Sequence, residues 1–503
     1  MKRVHKLLFN TVVLTAATFL MRTVEVSFNV YLTNKIGASG IGLFQLIMTV
    51  YALAVTFASS GIKLASTRLT VDAVDVGEER LSDVMKNCFF FALFMGIAVA
   101  SALYLSADFI SVKWLNDERS AISLKILSAA LPFTAVSAVL SGYYTAARKA
   151  SVFAVIQVVE QFVKIGIIVF ALTKFLPLGV KFSCVAIVTG ISFSEIVSSV
   201  LSYILYKLLR PTDGKIPKSK NIVKKMLRIA VPDMVGSSVR SVLLTIEHLL
   251  IPVGFKKSGT TQDEALSIYG RVHGMVFPLI LYPSSVLGSL SGLLVPEIAE
   301  YNAKKMKNQI DNIIEIVLKW TLLFSILTMG IMYSFSDLLS CAVYHNGDCS
   351  QYIAILAPLI PVMYMDMIVD GMLKGLDQQL SSMKYNILDS GMCVVLVYFL
   401  IPKFAIKGYI FILFISEIFN FSLSIRRLIT VANVRINIVN SLIKPIVAVA
   451  LSGWIFKLIN ITMGNSVINF TVCAVLFCVF YSVLLYISGA VKKSDIKTVK
   501  NLL

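Results

Sequence analysis

The residues of this chain that could do chemistry are ionisable side chains set inside long apolar runs. Arg22 and Glu25 lie three positions apart in the first run, so a helix puts them on one face. Either they neutralise each other as a local ion pair, or Arg22 faces a cavity and holds an anion. Arg271 stands near the start of YGRVHGMVFPLILYPSSVLGSLSGLLVPEIAE, where Gly270, Gly274, Pro278 and Pro283 make a regular helix unfavourable. Broken helices at membrane depth are tolerated where they are buried or line a cavity, so Arg271 is expected to line a pathway. Arg240, Glu247 and His248 share another run. Arg240 and Glu247 are two turns apart on one face and serve either an internal network or substrate contact. Asp366 and Asp370, four apart, are the best carboxylate pair for a cation. Glu160, Lys164, Glu195, Asp389 and Glu417 complete the set, and they read as polar contacts between helices or as coupling groups. His273 would titrate near neutral pH if exposed. Charges in apolar spans are costly and usually face an interior or a wet cavity, which points to transport. No phosphate loop, HExxH or GxSxG in a strand–turn–helix setting is present. The chain is therefore read as a transporter, not an enzyme and not an ATP-driven pump. No cofactor or metal is expected; Na+ or H+ coupling is left open.

The elements that must position these residues are membrane helices. Of 503 residues, 57% are hydrophobic and 15% charged, against about 25% charged in soluble domains. Fourteen spans are expected, near 7–32, 41–62, 87–107, 120–146, 151–174, 182–206, 226–252, 267–294, 312–335, 351–373, 382–401, 406–428, 440–460 and 467–489. The formal charge is +18. Its basic residues fall mostly in alternate loops, such as Lys63 to Lys86, Lys207 to Arg228 and the tail with Lys492 and Lys493, so both termini are expected in the cytoplasm. That distribution, with no nucleic-acid module in view, excludes nucleic acid as a partner. Lys2, Arg3 and Lys6 precede an apolar run without a cleavage site, which reads as an uncleaved first helix.

The two halves echo each other. Pro132 precedes Gly142 by ten residues, as Pro361 precedes Gly371; Gly142 precedes Glu160 by 18, as Gly371 precedes Asp389. Ser194-Glu195-Ile196 returns as Ser416-Glu417-Ile418, and Arg22-Thr23-Val24 as Arg240-Ser241-Val242. Matches in one order argue for duplication, and six spans per copy give both copies the same orientation. A parallel repeat puts a substrate site near mid-membrane. The expected divisions are an N-lobe at 1–210, a linker at 211–225, a C-lobe at 226–430, and an appended helix pair with its tail at 431–503. Of seven cysteines, five fall in spans. Cys341 and Cys349 flank the polar run CAVYHNGDC, expected outside, as a disulfide or as two free thiols.

The runs NKIGASGIGLFQLIMTVYALAVTFASSGI, SGYYTAARKASVFAVIQVVEQFVKI and YGRVHGMVFPLILYPSSVLGSLSGLLVPEI resemble the stage V sporulation protein B group of the multidrug/oligosaccharidyl-lipid/polysaccharide flippase superfamily. The resemblance covers nearly the whole chain. It implies an all-α integral membrane fold of fourteen helices, two six-helix lobes in a V around a central cavity plus a final pair, working by alternating access. Lipid II flippases of that superfamily line the cavity with arginines of helices one, two and eight. Arg22 matches the first by its place before the Gly-rich turn, and Arg271 matches the helix-eight arginine by the Pro and VLG that follow. Phe28 and Asn29 stand where a second helix-one arginine would be, and helix two has none before Arg68. The implied function is a bacterial plasma-membrane flippase for a polyprenyl-pyrophosphate-linked sugar in cell-wall, polysaccharide or spore-cortex synthesis. Arg22, Arg271 and Arg240 would pair with the pyrophosphate beside Glu25, and membrane lipid and cell-wall synthesis enzymes are the expected partners. The alternative is a cation-coupled multidrug exporter using Asp366, Asp370 and Glu247. A third reading is a scaffold that recruits wall enzymes through 207–228.

Overall fold

Gly and Pro punctuate the apolar runs, and the helices end or bend where they fall. The computed structural model describes residues 2–73, 80–210, 221–345, 347–432, 434, 438–459 and 466–491. Residues 211–220 of the expected linker and the basic tail from Lys492 lie outside the described residues. The helices are α1 (Lys2–Ser59), α2 (Ile62–Val71), α3 (Leu81–Lys113), α4 (Ala121–Ser128), α5 (Leu131–Ala146), α6 (Ala150–Phe175), α7 (Val180–Leu209), α8 (Ile222–Lys257) and α9 (Gln262–Tyr269). They continue as α10 (Phe277–Leu281), α11 (Ser285–Ala303), α12 (Lys307–Ser334), α13 (Ser336–Tyr344), α14 (Ser350–Leu356), α15 (Ile360–Gly375), α16 (Gln379–Val431), α17 (Lys444–Ile459) and α18 (Val467–Ile487). Among the described residues there is no strand, and ten helices are long and apolar enough to cross a membrane, or twelve when each of two bent pairs is taken as one span.

Two apolar stretches, Phe19–Val71 and Gln379–Val431, run for 53 residues each, about 80 Å at 1.5 Å per residue, against a hydrocarbon core of about 30 Å. Each is interrupted where the sequence predicts a turn between spans. Gly37 breaks α1 with φ 74°, and Ala405 breaks α16 with φ 47°, three residues after Pro402. Large apolar side chains point outward along the helices, Leu105 at 81% and Phe90 at 75% exposure, as lipid contact requires. The chain is a multi-pass membrane protein.

Packing divides the chain into two compact units, residues 35–270 and residues 1–34 with 271–503. These boundaries differ from the expected lobes of 1–210 and 226–430, because residues 1–34 cluster with the second unit and α8 and α9 with the first.

In the 35–270 unit, helices meet where glycine removes the side chain. A Cβ on Gly142 of α5 would lie 2.7 Å from the Lys63 carbonyl of α2. Next to it, Tyr144 donates to the Ser202 carbonyl of α7 at 2.8 Å, and Tyr143 stacks edge-on against Tyr206 at 4.8 Å. In the other unit, a Cβ on Gly371 of α15 would lie 2.0 Å from the Ser291 hydroxyl of α11. α5 and α15 are both 16 residues long with Pro in the first turn, so the duplicated Pro and Gly do the same local work in each copy: one starts a helix, the other lets a neighbour approach. α17 and α18 pack on α12 through Val449, Phe456, Phe477 and Tyr481, and the Tyr481 hydroxyl donates to the Leu323 carbonyl at 3.0 Å.

Candidate functional site

The site is built on a helix that the sequence does not allow to be regular. After α9, residues Gly270–Val276 form a π-helical turn, a geometry rare outside functional sites. Pro278 and Pro283 then remove two backbone donors, and the chain bends by 61° between Gln262–Leu281 and α11. Carbonyls freed along this segment find side-chain donors. The Tyr344 hydroxyl donates to the Met275 carbonyl at 2.9 Å, and the Tyr364 hydroxyl to the Ile280 carbonyl at 2.6 Å. Both tyrosines are buried. Sequence reasoning missed them, since nothing in their type marks these two among nineteen tyrosines.

Arg271 sits on the π turn. Its Nη2 lies 3.7 Å from Asp348 Oδ2, with the side chain 32% exposed, while its Nε is buried without a hydrogen-bond partner. The guanidinium thus keeps one donor uncommitted beside a loosely held carboxylate. Two residues on, His273 Nε2 hydrogen-bonds the Tyr409 hydroxyl of α16. Asp348 belongs to the polar run between Cys341 and Cys349. Those cysteines are both free, so the structure contains no disulfide there. Cys349 is buried instead, with its Sγ 3.6 Å from Met275 Sδ under the same π turn. Burial pushes its thiol up to about 12, against the pull of nearby Arg271.

Arg22 and Glu25 do form the local ion pair, Nη1 to Oε2 at 2.8 Å, half-exposed on α1. Thr23 bonds the Tyr282 hydroxyl at 2.9 Å and Phe19 packs on the same ring at 5.6 Å. This lays the first part of α1 against the bend that follows Arg271. Arg22, Glu25, Arg271, Asp348 and His273 therefore belong to one compact unit. Arg240, Glu247 and His248 do not; they lie on α8 in the other unit, where His248 Nδ1 and the Tyr269 hydroxyl are 2.9 Å apart.

The Asp366/Asp370 pair is split between partners. Asn420 donates to Asp366 at 3.1 Å. Lys374 pairs with Asp370 at 2.6 Å, and Ser382 donates to it as well. With Lys374 in place, the two carboxylates do not present a bare double charge. The duplicated polar residues bond inside their own bundles. Glu195 accepts from Tyr51 at 2.6 Å and from Thr134, while Ser416 donates to Asp389 at 2.9 and 3.1 Å. In Ser194-Glu195 the Glu makes the printed long-range contact, and in Ser416-Glu417 the Ser does. Glu160 and Lys164 are half-buried on α6, facing Glu195 electrostatically. Among the described residues no cluster of three or more His, Cys, Asp or Glu could hold a metal ion.

A family model described as "Polysaccharide biosynthesis protein" matches residues 7–259, half of the chain. The chain belongs to the polysaccharide biosynthesis protein family. Within this family's range it is 23% identical to stage V sporulation protein B of Bacillus subtilis (strain 168) over 381 residues, covering 73% of this chain and 72% of the relative. It is 20% identical to sporulation protein YkvU of the same organism over 352 residues, covering 69% and 77%. Its fold is similar to that of lipid II flippase MurJ in an inward closed conformation, with TM-score 0.73, 14% identity, and 95% and 98% of the two chains covered. It is also similar to an inward-facing multidrug resistance MATE family transporter of the MOP superfamily, at TM-score 0.62 and 14% identity over 82% and 93%. The polysaccharide biosynthesis chain thus has the helical membrane-transporter fold that its sequence runs resemble.

Proposed function

We propose that this protein is a flippase that carries a polyprenyl-pyrophosphate-linked sugar precursor of the cell wall or a polysaccharide across the bacterial plasma membrane, with both termini in the cytoplasm. The observation that carries the reading is Arg271: a guanidinium on a broken helix, with a buried Nε donor unpaired and its carboxylate partner held at only 3.7 Å. A pyrophosphate is a stronger bidentate partner for arginine than a distant, exposed carboxylate, and it would displace Asp348. Without paired cations, desolvating such a head group is prohibitive; the polyprenyl tail can remain in lipid. Arg22, next along the bend, supplies a second cation once Glu25 is exchanged for substrate.

The test is depletion of the protein followed by a count of lipid-linked precursor in each leaflet. Accumulation on the cytoplasmic side, rescued by wild type and not by Arg271→Ala, supports the reading. Full rescue by a folded Arg271→Ala chain overturns the assignment. In the exporter reading the carboxylate to neutralise is Asp366, because Lys374 already compensates Asp370.

A further inference from the structure

Within the 35–270 unit, the second part of α1 touches α8 and α9 at two places, and the two contacts differ in kind. At one end the backbones meet directly. A Cβ on Gly42 would lie 2.1 Å from the Leu266 carbonyl, and a Cβ on Gly270 would lie 2.1 Å from the Ala38 carbonyl. Nothing polar has to break for these surfaces to turn on each other. The same end is clamped by Arg119, which grips Asp117 at 2.6–2.9 Å and reaches Asp263 in the first turn of α9 at 3.0 Å.

At the other end the contact is one charge-assisted hydrogen bond. α1 stops at Ser59, Gly61 takes φ 74°, and α2 starts at Ile62 with no cap from its own side chain. The missing acceptor comes from α8: Asp233 Oδ2 receives the Gly61 N–H at 3.1 Å. A carboxylate at a helix N-terminus is favoured by the unpaired amides and the helix dipole. The fit is close, since a Cβ on Gly61 would fall 2.2 Å from the Ala230 carbonyl. Gly42 and Gly61 are nineteen residues apart, roughly 28 Å along a helix, close to the thickness of the bilayer core. The two contacts lie toward opposite membrane surfaces. By the duplication in the sequence, α8 begins the second copy, so this contact joins helices of different copies.

We propose that α8 and α9 form an arm hinged at the Gly42–Gly270 crossing, and that the Asp233–Gly61 bond is the releasable latch at its far end. The inference rests on the alternating-access reading, and it assigns the latch to Asp233 and the pivot to the two glycines. A glycine crossing lets rigid helices rotate as a hinge needs; a single exposed-edge hydrogen bond can open and re-form.

The test is thiol protection in the full-length chain, purified in nanodiscs, with its seven native cysteines replaced. Ala230→Cys, 1% exposed beside the latch, and Ala265→Cys, 0% exposed beside the pivot, are each labelled with a membrane-impermeant maleimide. Asp233→Ala is expected to speed labelling at the Ala230→Cys thiol about tenfold and leave the Ala265→Cys thiol unchanged. Asp233→Asn, whose amide oxygen still accepts the Gly61 N–H, is expected to stay within about twofold of the parent. Unchanged protection in Asp233→Ala, or an equal rise at both thiols, overturns the latch. If Asp233→Ala does not purify as a single species, hydrogen exchange on the wild-type chain decides. Amides of 60–66 must then exchange at least tenfold faster than those of 38–46, and equal protection overturns the proposal. None of these measurements depends on which substrate is carried, so a failed leaflet assay and a failed latch remain separate results.

Discussion

Gly142 and Gly371 occupy matching places in the duplicated sequence, yet alanine should cost different amounts at the two. At Gly371 the added methyl would fall 2.0 Å from Ser291 Oγ, but the next atoms, Ser291 Cβ and Cα, are at 3.2 and 3.7 Å. A serine hydroxyl can rotate away, leaving one tight contact. At Gly142 the methyl would fall 2.7 Å from the Lys63 carbonyl, 2.9 Å from Ser66 Cβ and 3.1 Å from Ser66 Oγ. The carbonyl is backbone, and Ser66 is held by its bond to the Val139 carbonyl at 2.9 Å, so α2 must shift bodily. Overpacking costs about 1–3 kcal/mol, and replacing a helical glycine with alanine returns about 1 kcal/mol. Gly371→Ala should then be nearly neutral, and Gly142→Ala should lose up to about 2 kcal/mol, roughly 4–8 °C in Tm for a unit of this size. Thermal unfolding of the two purified variants, followed by loss of the monodisperse peak, reads this directly. An equal or larger drop for Gly371→Ala would refute the argument, because the shorter distance, rather than the freedom of the atom met, would then set the cost.

Arg271→Ala is expected to lower precursor translocation at least tenfold with normal expression, and Arg271→Lys to restore only part of it, since lysine lacks the bidentate fork; the leaflet count measures both. Tyr364→Phe strands the buried Ile280 carbonyl and should cost about 1–3 kcal/mol, visible as a lower Tm with Tyr282 and Arg271 left in sequence. With its thiol pushed up to about 12, Cys349 presents about one thiolate in ten thousand at pH 8. It should resist maleimide at that pH while the less buried Cys341 labels first, as mass spectrometry of the tryptic peptides will show. Lys374→Ala should destabilise the chain more than Lys374→Ala combined with Asp370→Asn, because only the single change leaves the Asp370 carboxylate uncompensated among α15 and α16; unfolding midpoints of the two compare them.

The membrane class, the helices and the duplication were legible because they are local or periodic properties. Apolar runs of bilayer length have one low-cost outcome in lipid. Pro132 and Pro361 start helices wherever they stand, and the Gly-rich turn at Asn34–Gly42 breaks a helix whatever surrounds it. The pairing of Arg22 with Glu25 was equally readable, being a contact of three residues along one helix. The irregularity around Arg271 could be read from Gly270, Gly274, Pro278 and Pro283 for the same reason.

Long-range partners were decided only by the tertiary structure. The sequence holds the type of Asp348, Tyr344 and Tyr364 but not the approach that sets them against Arg271, Met275 and Ile280. Spacing suggested a bare Asp366/Asp370 pair; the fold supplies Asn420 from fifty-four residues away and leaves Lys374 on Asp370. The polar run between Cys341 and Cys349 suggested a bridge, but Cys349 is drawn under the π turn because burial against Met275 favours it there. Matching sequence positions in the two copies also acquire different partners, as Glu195 and Ser416 do. A duplicated pattern specifies helices and their apolar faces through short-range physics. Which polar group meets which depends on how those helices cross, and a one-dimensional spacing does not contain that geometry.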